Sequence, residues 1–182
     1  MEHTISAEIE KLLATPELAG LGPGPRPGVQ SEQALNAALD QLFETSRLSR
    51  QRQQLIRALV LLWHDHLDAS HSISQSIENS DGAFVHGIMH RREPDYSNAA
   101  YWFRRVGKHP VFPEIASQTA GLLSVKNKSL FDELAPSGDW DPFGFIHACE
   151  QSNRKGATSE YALLQQIQRI ETKALLNRFS QG

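Results

Sequence analysis

Residues 49–77 read SRQRQQLIRALVLLWHDHLDASHSISQSI, and this stretch decides the fold class. Leu55, Leu59, Leu62, Ala69, Ile73 and Ile77 recur at helical spacing, with His66 among them, and predict one long helix from about Ser49 to Ile77. At 100° per residue His64, Asp68, His71, Gln75 and Glu78 fall within about 40° of one line on the opposite face. A polar stripe is ordinarily a solvated face. This one follows an apolar run, Ala58 to Trp63, and carries no lysine or arginine, so it reads as a candidate site.

Outward from this segment the pattern stays helical. Ser31 can cap a helix to about Thr45, and Asn79-Ser80-Asp81-Gly82 reads as a turn. Phe84 to about Arg92 forms a short helix ending before Pro94, and Ser97 can cap Asn98 to Val106, closed by Gly107. Further helices run from Pro113 to about Leu123, from Phe143 to Gln151 behind the Asp141 cap, and from about Ser159 to Phe179. No stretch alternates with a period of two over strand length. The expectation is an all-α, compact bundle of about six or seven helices. Ile5 to Ala14 is also helix-compatible. The segment Gly20-Leu21-Gly22-Pro23-Gly24-Pro25-Arg26-Pro27-Gly28 supports no regular element. Residues 1–30 therefore read as an arm with a Pro/Gly-rich strap, and 31–182 as one helical domain.

Composition narrows the function. The chain has 182 residues, 40% hydrophobic, enough for a core of its own. A formal charge of −3 argues against a general nucleic-acid binder. No apolar run is long enough to span a bilayer, and Met1 to Thr4 lacks the start of a signal peptide. The single cysteine, Cys149, fits a reducing, cytoplasmic setting. Nothing in the pattern sets the oligomeric state, and a homo-oligomer is compatible with it.

Histidine carries the chemistry, since seven of the eight lie between His64 and His147. His86 and His90 stand at i and i+4 and Glu93 three residues on, so all three share a helix face. Such a histidine pair can converge on one ion. A short turn between the two helices favours an antiparallel hairpin, which sets His71 level with His90 and Asp68 level with Glu93. Asp68, His71, His86 and His90 are thus the expected metal ligands. His64 lies about 10.5 Å from His71 along the axis and is too far to share their ion. Glu93 and His64 are the candidate general bases. A mixed imidazole and carboxylate set suits zinc, manganese or iron better than calcium.

Beside this pair the segment His86 to His109 holds five Lys/Arg against two Asp/Glu. Arg91, Arg92 and Arg104, with Trp102 among them, read as a pocket for a small anionic ligand. The alternative is that these arginines pair with nearby acids in structural salt bridges. His66, His147, His109, Cys149 and Trp140 read as packing or capping residues.

Two resemblances bear on this pattern. His64-Asp65 at the end of an apolar helix resembles the doublet of HD-domain phosphohydrolases, which implies an all-α, metal-dependent phosphatase. The segment from His86 to Asn98 also looks like the histidine-glutamate loop of the HD-GYP branch, without its glycines. His64-x3-Asp68, His86-x3-His90 and His109-x4-Glu114 resemble the ligand pairs of hemerythrin-like proteins, which implies a di-iron site. Both patterns need an upstream histidine, and only His3 precedes His64. The leading expectation is a helical protein with a His/carboxylate pocket for a divalent metal and a small anion, serving metal-assisted hydrolysis if catalytic. The alternative from another class is a non-enzymatic interaction module whose His/Arg cluster is a structural network.

Overall fold

The structure is a computed structural model that describes residues 2–123 and 127–181, with side chains from residue 5 onward. Met1 and the side chains of Glu2 to Thr4, on which the signal-peptide reading rests, lie outside the described residues. Every regular element among the described residues is helical. The chain runs α1 (Glu2–Leu12), α2 (Glu32–Glu44), α3 (Arg50–Trp63), α4 (Leu67–Ser74), α5 (Ser80–Arg92), α6 (Tyr96–Val106), α7 (Phe112–Leu123), α8 (Lys128–Leu134), α9 (Pro142–Lys155) and α10 (Ser159–Ser180). A 3-10 turn, Pro136–Gly138, joins α8 to α9. No described helix is long and apolar enough to cross a membrane.

Among the described residues ten helices replace the expected six or seven: α1 is one, and a break at residues 64–66 gives another. The long helix breaks there into α3 and α4. Asp65 takes a left-handed backbone with φ of 67°, which aspartate tolerates better than most residues. Its carboxylate accepts from Arg26 Nη1 at 2.5 Å, Arg92 Nη2 at 2.6 Å and the Arg26 backbone N–H at 2.8 Å. Tertiary ion pairing thus overrides the local helical periodicity. Helix α8, which the periodicity did not announce, adds another element.

Residues 13–31 carry no regular element but are fastened along their length. Leu21 donates its N–H to the Tyr161 hydroxyl at 3.0 Å, and the Gln168 side-chain amide donates to the Gly20 carbonyl at 3.0 Å. Trp63 Nε1 donates to the Leu13 carbonyl at 2.9 Å. Ile9, Leu13, Ala19 and Leu21 are buried in the same apolar core as α3, α5 and α10.

Helix α5 lies against α3, α4 and α6, and from Gly82 to Arg92 every residue is buried, polar ones included. Gly87 allows the tight seam with α6, because a Cβ there would stand 2.8 Å from the Phe103 ring. That close approach brings Trp102 of α6 onto His86 of α5.

Candidate metal centre

His71 sits in the last turn of α4, while His86 and His90 lie one turn apart on α5. Each of the three offers one ring nitrogen, and these nitrogens all lie within 4.8 Å of one another. The His71 ring meets His86 edge-on at 4.7 Å between centroids and His90 at 5.5 Å. The His86 and His90 rings stack at 4.8 Å, and Trp102 covers the other side of His86 at 3.9 Å. The hairpin expected from the short turn does bring His71 level with His90.

His86 is the unusual member. Both of its ring nitrogens are buried and neither has a hydrogen-bond partner among the described residues. A buried polar atom left without a partner costs about 1–3 kcal/mol, so a fold seldom carries one without a use for it. Burial, with His90 and His71 adding repulsion, pushes its pKa down to about 3. His86 is therefore neutral near pH 7 and has a lone pair to give. Burial also lowers the pKa of His90, against the pull of Glu93. His90 Nδ1 donates to Glu93 Oε2 at 3.0 Å, which leaves the lone pair on Nε2. Asn98 Nδ2 donates to that nitrogen at 3.1 Å.

The other expected site residues go elsewhere. Asp68 is exposed and does not join the three histidines. His64 caps the end of α3 and faces residues 12–30. Its Nδ1 accepts from the Gln30 N–H at 3.1 Å and its Nε2 donates to the Leu12 carbonyl at 2.6 Å. The stripe reading joined His64 to His71 because it extended one helix through the break. Glu93 is about half exposed and orients His90. Arg91 is fully buried and meets Glu171 through Nη1 at 3.1 Å and Nη2 at 2.5 Å, with its guanidinium over Phe145. Arg92 binds Asp65, the Leu62 carbonyl and the Gly22 carbonyl. Both guanidinium groups are buried in these contacts. Arg104 is exposed on α6.

The paired residues of the two resemblances also diverge. Asp65 of the His-Asp doublet is held by Arg26 and Arg92. His109 donates from Nε2 to Asp81 Oδ1 at 2.9 Å, and Asp81 also accepts from Arg178 at 2.9 Å. Burial pushes the Cys149 thiol up to about 12, which matches its reading as an inert core residue.

One residue near the cluster escapes the reading of the sequence. In sequence Asn98 reads only as the first residue of a helix, yet its amide reaches His90. Arg105, one of the five basic residues between His86 and His109, stands over the Trp102 ring at 5.2 Å, three residues away on the same helix. No family model, curated protein or solved structure matches this chain.

Proposed function

We propose that this protein binds a divalent metal ion through His71, His86 and His90, and that the centre serves hydrolysis of a small anionic molecule. The observation that carries the reading is the convergence of three imidazole nitrogens within 4.8 Å, one of them on a buried ring with no partner. Three protein ligands with the remaining position open are the pattern of catalytic rather than structural zinc sites. An all-nitrogen set favours zinc or iron, with manganese behind them, over calcium and magnesium. Metal–nitrogen bonds of about 2.1 Å need the rings to close slightly inward and the Asn98 amide to yield Nε2 of His90.

Held there, such an ion would supply Lewis acidity, lowering the pKa of a water towards about 7. The chain's own contribution is orientation and exclusion of solvent. Glu93 holds the His90 ring and fixes its tautomer, as carboxylates commonly do behind metal-bound histidines. Trp102 clamps the His86 ring by stacking.

One observation favours the non-enzymatic alternative for part of the cluster. Arg91 and Arg92 are buried in contacts that join α5 to α10 and to residues 22–26, as in a structural network. The two readings separate on elemental analysis by mass spectrometry of untagged protein beside a His86→Ala/His90→Ala double variant. Near-stoichiometric zinc, iron or manganese in the parent and its loss in the variant is the expected result. Metal in neither, also after soaking and desalting, overturns the metal centre and leaves the interaction module.

A further inference from the structure

A cleft of about 310 Å³ opens between the end of α4, the start of α5 and the outer face of α6, lined by Gln75, Glu78, Ser80, Ala83, Trp102 and Arg105 among others. Three of its lining residues neighbour the histidine cluster along the chain or by contact. Gln75 follows His71 by four residues, about one helical turn, and Ala83 precedes His86 by three. Trp102 is the shared wall, stacked on His86 and lining the cleft.

Arg105 gives the cleft its character. Its guanidinium lies over Trp102 at 5.2 Å and at 6.0 Å from the Tyr101 ring centre. It forms no ion pair or side-chain hydrogen bond with any described residue, whereas Arg91 and Arg92 on α5 are each held in a buried ion pair. A guanidinium steadied by an aromatic face, with its fork of donors unspent, suits an oxyanion in two-point contact. Gln75 and Ser80 add neutral polar groups, and Glu78 sets one carboxylate on the same cleft. One cation and one carboxylate disfavour a highly charged ligand. They fit a small molecule with a single oxyanion at one end and a hydrogen-bond donor at the other.

We infer that Arg105, over Trp102, holds the carboxylate or phosphoryl group of the molecule on which the histidine centre acts, with Glu78 receiving a donor group of the same molecule. The inference rests on the metal-centre reading for its placement, but its test separates the two. Parent protein, Arg105→Gln and Glu78→Gln are titrated with zinc. Metal-free and zinc-loaded forms of each are then titrated with inorganic phosphate and with acetate, followed by tryptophan fluorescence. All three proteins are expected to bind zinc alike. Arg105→Gln is expected to weaken binding of the preferred anion about tenfold, and Glu78→Gln to tighten it by removing a like charge. A stronger response to phosphate assigns a phosphoryl group and a stronger response to acetate a carboxylate. Zinc binding with anion affinity unchanged in Arg105→Gln, or no anion binding by the parent, overturns the cleft while leaving the metal centre standing. Anion binding that depends on Arg105 in a protein that takes up no zinc supports the cleft and overturns the metal centre.

Discussion

Helix α5 carries two kinds of buried polar side chain within seven residues, and they are solved in opposite ways. Arg91 and Arg92 bring charge into the interior and find partners there: Glu171 and Gln168 for one, Asp65 and two carbonyls for the other. His86, five residues before Arg91 and as deeply buried, finds none among the described residues. A buried polar group whose partners belong to the chain is explained by the fold. Arg91 leaves only Nε without a partner, whereas His86 leaves both of its ring nitrogens, and they lie beside two other imidazoles. That contrast separates the structural arginines from the histidine centre, although sequence spacing had placed both in one pocket.

The contrast is sharpest when a partner is removed. Arg91→Ala leaves Glu171 buried and unpaired, and is expected to cost about 3–5 kcal/mol of unfolding free energy in chemical denaturation. A loss below about 1 kcal/mol would mean that Arg91 is not the structural member of the comparison.

Gly87→Ala probes how the two halves are held together. The added Cβ presses on the Phe103 ring at 2.8 Å, so α6 must shift from α5. A loss of about 1–3 kcal/mol is expected, together with weaker zinc binding as Trp102 leaves His86. Stability and zinc affinity both unchanged would show that the α5–α6 seam does not position the centre.

His86→Phe tests the unpartnered side of the comparison. The phenyl ring keeps the stack on Trp102 and removes two orphaned nitrogens, so the metal-free protein is expected to be as stable as the parent or more stable, by about 1 kcal/mol. A large destabilisation would show that His86 is held by the fold and not kept for a ligand. The same variant bears on pH. His64, His86 and His90 all have folded pKa values lowered by burial, so below about 6.5 the unfolded chain binds more protons than the folded one. Stability of the metal-free parent therefore falls as the pH drops from about 6.5 towards 3, and His86→Phe should flatten that fall. An identical pH profile for the two proteins would contradict the burial of His86 in its neutral form.

The sequence carried the helical class because period, caps and breakers agreed over most elements: Ser31 and Asp141 cap the helices that their spacing announces. The pair His86 and His90, and the alignment of His71 with them, were legible for the same reason, since helix spacing and a short turn are local rules. What was not legible is tertiary. No glycine or proline marks the break at Asp65; its ion pairs with Arg26, 39 residues earlier, and Arg92, 27 residues later, turn the chain there. His64 therefore leaves the stripe. Arg91 is likewise decided by Glu171, 80 residues away, which composition alone cannot pair with it.

The most direct test of the central claim is cobalt(II) titration of metal-free protein at neutral pH, read by the visible d–d absorption of the bound ion. One equivalent taken up by the parent, displaced by zinc and lost in His71→Ala and in the well-folded His86→Phe, is the predicted result. No uptake by the parent, or the same spectrum in His86→Phe, contradicts it.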